Sequence, residues 1–170
     1  MYELFLSPLV MASALRLMTP VLFAAMGGSF GHKAKVLCLG LESFMAFAAF
    51  FAMYGSYTFE SAYAGLLFGV LSAMIASCIF AVFVLIFKST PVIVGIALNL
   101  AAWGGTTYLL SMIFKTRGVF IDPRIKSFGS IDIPLIKDIP YIGKFLSGQN
   151  ILVYLSLVFM IIAYIIMFKT

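Results

Sequence analysis

The sequence predicts an all-α, polytopic helical membrane protein with about five transmembrane segments. Of its 170 residues, 64% are hydrophobic and only 10% charged, far from the balance of a water-soluble domain. Uncharged runs from Ala62 to Phe87 and from Val92 to Phe114 each exceed the roughly 20 residues a helix needs to cross the hydrocarbon core. The 11 Lys and Arg residues outweigh the 6 Asp and Glu, but they fall largely between apolar runs. There they orient helices, and nucleic acid is not an expected partner.

Taken in order, the first apolar stretch, 4–30, is interrupted by Arg16 and Pro20 and ends in Gly27-Gly28. It reads as one tilted helix or as two pieces. Ahead of it, Met1-Tyr-Glu3 lacks the basic region of a secretory signal, so the mature protein is expected to keep residue 1 onward. The second span, 36–53, requires Glu42 to sit near a helix end, in a water-filled cavity or against a partner. Spans 62–87 and 92–114 rest on length and lack of charge. The fifth, 151–168, is shorter but uncharged, with Tyr154 and Tyr164 suited to interfacial or protein-facing positions.

Between the fourth and fifth spans lies a loop, 115–150, containing the near-repeat Asp132-Ile-Pro134 and Asp138-Ile-Pro140. Its prolines exclude one continuous helix, and short interfacial or capping helices are expected. Such a loop serves either as a lid or docking surface or simply as a packed connector. The short-loop charges His32-Lys33, Lys35 and Lys88 share a side with Lys169, whereas 54–61 has no Lys or Arg. The Lys33, Lys88 and Lys169 side is therefore expected to be cytoplasmic, with the amino terminus and 115–150 outside.

Catalytic chemistry has few candidates. The single histidine, His32, lies beside Lys33, and every aspartate falls between Asp122 and Asp138. No clustered nucleophile, base or metal-ligand set and no phosphate-binding glycine loop is present, so neither an enzyme nor a cofactor or metal site is expected. Cys38 and Cys78 lie apart in apolar surroundings and read as buried structural thiols. The conspicuous polar group is Asn99, inside the fourth span, whose amide must find a partner or face water at bilayer depth. Gly27-Gly28 and Gly104-Gly105 read as points of close helix approach, and the Met and Phe residues as bundle filling or lipid-facing surface.

Gly40-Leu41-Glu42, the Val94-Gly95-Ile-Ala-Leu-Asn99-Leu100 core, Asp138-Ile-Pro-Tyr-Ile-Gly143 and Gln149-Asn150-Ile-Leu-Val-Tyr154 occur in that order. In order and separation they resemble the permease subunits of bacterial ATP-binding-cassette importers for simple sugars and nucleosides. The broader group includes ribose and branched-chain amino-acid permeases. The resemblance runs from about Leu15 to the last residue. It implies a bacterial plasma-membrane transport subunit without catalytic residues, partnered by cytoplasmic ATPase subunits, an extracellular substrate-binding protein and membrane lipid. In that family a segment such as Ile161 to Thr170 leads toward a basic stretch and a coupling helix seated in the ATPase. The resemblance therefore covers an amino-terminal half, expected to be a fragment, a truncated product, or one part of a permease completed by a second subunit or a carboxy-terminal half.

A permease offers a path that opens alternately to each side. Asn99, with Trp103 at i+4 and Thr106 at i+7 on one helix face, is the first candidate for lining it, since amides and aromatics suit a sugar or nucleoside. Helix-to-helix bonding is the alternative role for Asn99. Glu42 is the fourth path candidate, with local capping or pairing as its alternative. A branched-chain amino acid would call for a charged partner for its termini, so a nucleoside or simple sugar fits better. The competing class is a self-contained small membrane channel or scaffold.

Overall fold

The computed structural model describes residues 8–36, 38–116, 118, 120–131 and 149–169. Five helices account for most of them: α1 (Pro8–Lys33), α2 (Leu41–Phe59), α3 (Ala62–Ala81), α4 (Pro91–Phe114) and α5 (Ile151–Lys169). The chain divides into two compact units, Met1–Met26 with Phe128–Thr170, and Gly27–Ser127.

In the first unit α1 runs unbroken through Pro20. Thr19 is buried and its hydroxyl donates to the Leu15 carbonyl at 2.9 Å, adding a bond in the turn that the proline weakens. Phe23 of α1 meets Phe159 of α5 edge to face, with ring centroids 6.3 Å apart. Val153, Ser156 and Ala163 form the buried stripe of α5, and the Ser156 hydroxyl is spent on the Val153 carbonyl. A two-residue antiparallel ladder pairs Ser130–Ile131 (β1) with Gln149–Asn150 (β2). The described residues of 115–131 hold no helix, and the rest of the loop in which short helices were expected, 132–148, lies outside the described residues. Both Asp-Ile-Pro repeats lie outside the described residues.

The second unit is built on the α2–α3 hairpin. The second span begins at Leu41, five residues later than expected from the apolar run, and extends to Phe59. Its start is delayed by the left-handed Lys35 (φ 58°) and the turn at Gly40; its end is set by Glu60, also left-handed (φ 49°). Lys88 (φ 51°) and Lys115 (φ 53°) stand in the same conformation beyond α3 and α4. Three of these four helix ends thus place a cation beside the negative end of the helix dipole. α3 continues into a π-helical turn, Val82–Ile86, in which the Phe87 N–H donates to the Val82 carbonyl five residues back.

Among the described residues, three helical stretches are long and apolar enough to cross a membrane: Ala12–Lys33, Ala62–Ile86 and Pro91–Phe114. Ile151–Met167 is a shorter apolar helix. α2 is apolar at its centre but carries Glu42 at one end and Gly55-Ser56-Tyr57-Thr58 at the other. The span count therefore lies between three and five. Large apolar side chains on α3 and α4 such as Leu67, Ile75, Ile93 and Leu100 are exposed, as expected where lipid or another membrane helix replaces water.

Candidate functional site

In the second unit both ends of α2 are held by polar contacts to other elements. At its start, the first N–H groups have no acceptor within the helix. The Ser43 N–H donates to Asn99 Oδ1 at 3.0 Å, and Asn99 Nδ2 donates to the Leu39 carbonyl at 3.2 Å. Asn99 thus caps α2 from a neighbouring helix. The Ser43 side chain is fully buried and donates to the Gly40 carbonyl at 2.6 Å, closing the same turn.

Close approach is what makes this possible. A Cβ on Gly95, one turn before Asn99, would lie 2.9 Å from the Gly40 nitrogen and 3.1 Å from the Leu39 carbonyl carbon, so any side chain there would push α4 away. Asn99 sits eight residues into α4, about 12 Å along its axis at 1.5 Å per residue. Irregular backbone at such depth is tolerated where protein satisfies it, and the Asn99 amide does so at both Leu39 and Ser43.

In the middle, α2 and α3 meet through small residues. A Cβ on Gly65 would stand 2.8 Å from the Ala52 carbonyl oxygen, and one on Gly69 would stand 3.1 Å from the Ala48 carbonyl oxygen and the Ala52 methyl. Below them Phe44 and Phe80 pack edge to face at 6.0 Å.

At the far end of α2, the buried Ser56 hydroxyl donates to the Lys126 carbonyl and accepts from the Lys126 N–H, both at 3.0 Å. Beside it Tyr57, Phe114 and Phe120 form a trio with centroid separations of 5.2, 5.7 and 4.1 Å. The Arg124 guanidinium lies 5.0 Å from the Tyr57 ring centroid and 3.5 Å from Asp122, whose carboxylate also accepts the Arg124 N–H.

Of the four residues expected to line a path, Asn99 and Glu42 stand at the start of α2, and Trp103 and Thr106 lie about one and two turns further along α4. Asn99 is half-buried in the cap, and Thr106, on the same side of α4, donates to the Ala102 carbonyl at 2.6 Å. Trp103, one turn after Asn99, is 64% exposed. Glu42 is exposed in the first turn of α2, where its charge suits the positive end of the helix dipole.

Two expectations need correction. Cys38 is half-buried and Cys78 exposed, because the α3 face bearing Cys78 has no neighbour in this unit. Nor do Gly104 and Gly105 mark a close approach among the described residues, since no atom lies within 4 Å of a Cβ at either. At Gly28 the contact is only with the end of the Leu41 side chain, at 3.0 Å. The serine and glycines that do join helices, Ser56, Gly65 and Gly69, were not among the expected residues. Their signal is nonetheless in the chain: Gly65 and Gly69 are four apart, as are Ala48, Ala52 and Ser56, the spacing of facing small-residue stripes.

Long apolar helices, joined by small residues and by polar groups spent on backbone, define a multi-pass membrane protein. The chain belongs to the family described as the branched-chain amino acid transport system / permease component, which it matches over residues 10–170. Among curated proteins it is 30% identical to the nucleoside ABC transporter permease protein NupC of Lactococcus lactis subsp. cremoris (strain MG1363), over 95% of this chain and 52% of that one. It is 28% identical to the guanosine ABC transporter permease protein NupQ of Bacillus subtilis (strain 168), over 89% of this chain and 49% of that one. The chain thus spans about half the length of the curated relatives it matches. No solved structure matches it.

Proposed function

We propose that this chain forms part of the translocation path of an ATP-binding-cassette importer for nucleosides, as a permease subunit that performs no covalent chemistry. The observation that carries the substrate class is that both relatives, aligned along nearly all of this chain, are named for nucleosides or guanosine. ATP hydrolysis then belongs to separate cytoplasmic subunits, and nucleoside capture to an extracellular binding protein. A second permease subunit or a carboxy-terminal half completes the pathway.

In this reading the Lys33, Lys88 and Lys169 side is cytoplasmic, so the Asn99 cap is the inner end of α2 and the Ser56 junction the outer end. Trp103 and Glu42, whose side chains are exposed, are the better candidates for contact with the transported nucleoside. Asn99 serves the path by holding its walls, joining α4 to the start of α2.

The test is ATP-dependent uptake of radiolabelled guanosine, ribose and leucine by the complete importer in proteoliposomes. Saturable guanosine uptake, competed by other nucleosides, is expected. Uptake of ribose or leucine alone would overturn the substrate class, and flux without ATP would indicate a channel.

A further inference from the structure

We infer that α2, α3 and α4 move as one rigid block during transport, with the loop after α4 acting as a fixed strap across the outer end of α2. The inference rests on the transport reading above and adds which parts do not move.

Alternating access requires helices to separate somewhere, and the seam among α2, α3 and α4 is a poor place for it. Parting α4 from the start of α2 would leave the Ser43 N–H, the Leu39 carbonyl and both ends of the Asn99 amide without these partners, about 12 Å along α4 from its first residue. Parting the strap from the end of α2 would break both bonds between the Ser56 hydroxyl and Lys126 and expose the Tyr57–Phe114–Phe120 trio. Between these pins, α2 and α3 touch backbone to backbone at Gly65 and Gly69. A helix pinned at both ends and at its middle has no free segment left to swing.

Phe114 is the last residue of α4, and Phe120 and Lys126 lie beyond it. The strap therefore returns from the end of α4 to the end of α2, tying the outer ends of both helices. A gating lid would instead be held by contacts that can be exchanged with solvent. Here the hydroxyl-bearing residue at the centre, Ser56, is 4% exposed.

The experiment uses the complete importer with Cys38 and Cys78 replaced by alanine and the pair Tyr57→Cys and Arg124→Cys introduced. A short bifunctional thiol reagent that fluoresces on bridging reports strap closure, and uptake is compared before and after bridging. Efficient bridging with uptake changed less than twofold is expected. Bridging that lowers uptake tenfold or more shows that the strap must open, and a pair that does not bridge shows that the strap is not there; either overturns the inference. Spin labels on the same two cysteines supply a measurement independent of substrate: their dipolar broadening should be identical with and without ATP, and a change overturns rigidity. An importer that moves a different solute, with uptake indifferent to bridging, would overturn the nucleoside reading and leave the rigid block standing.

Discussion

Gly65 and Gly69 on α3 and Gly104 and Gly105 on α4 are chemically the same residues in apolar helices of similar length, yet they do opposite things. At the first pair a methyl group would strike the backbone or side chains of α2; at the second it would meet open space among the described residues. The difference lies in the facing helix. Ala48, Ala52 and Ser56 present a matching small stripe to α3, whereas α4 turns Gly104 and Gly105 away from the hairpin and packs through Val94, Gly95 and Ala102. A small-residue motif marks a seam only when its partner stripe is present.

The strongest way to break this comparison is Gly65→Leu. Forcing a branched side chain against the Ala52 carbonyl should cost about 3 kcal/mol, at the upper end of overpacking in a dense core. The expected outcome is loss of folded protein in detergent, monitored by fluorescence-detected chromatography; a stable monodisperse Gly65→Leu would mean that α2 and α3 do not meet there. Asn99→Leu comes next, at about 2 kcal/mol, because it removes two hydrogen bonds and leaves the Ser43 N–H and the Leu39 carbonyl without their partner. A thermal melt checks it, and an unchanged Tm would remove Asn99 from the cap.

Ser56→Ala should cost about 1–2 kcal/mol, since both hydrogen bonds to Lys126 are lost and each is worth about 1 kcal/mol or less in partly buried surroundings. Trypsin should then cut faster at Arg124 and Lys126, read by mass spectrometry of the fragments, while equal cleavage would argue against the strap. The smallest effect is expected at the other pair. Gly104→Ala and Gly105→Ala should leave the isolated chain as stable, or stabilise it by up to about 1 kcal/mol each through helix propensity. Lower stability of the isolated chain would show a contact at that face after all. Normal stability with lower uptake by the complete importer would show that another helix uses it.

Much of the fold was legible because length and lack of charge identify membrane helices almost regardless of context. Thus Ala62 to Phe87 and Val92 to Phe114 were plain from composition alone. The start of α2 was not, since Val36 to Leu39 is as apolar as the helix beyond it, and only the left-handed Lys35 and the turn at Gly40 delay the first helical turn. Asn99 stood out as a group in need of a partner, and periodicity placed Trp103 and Thr106 near it. Periodicity could not say that the partner would be the backbone of Leu39 and Ser43, some 60 residues earlier, because a helical wheel carries no information about a neighbouring loop. Ser56 was invisible for the same reason: its bonds go to the main chain of Lys126, and any residue type with a free N–H could supply those.

The π turn at Val82–Ile86 inserts one residue more than an α-helix would need over the same rise. At 3.6 residues per turn, one residue is about 100° of azimuth. The turn therefore works as a phase shifter: it decides from which side of the helix Lys88 and the linker to Pro91 depart, and so the bearing on which α4 sets out.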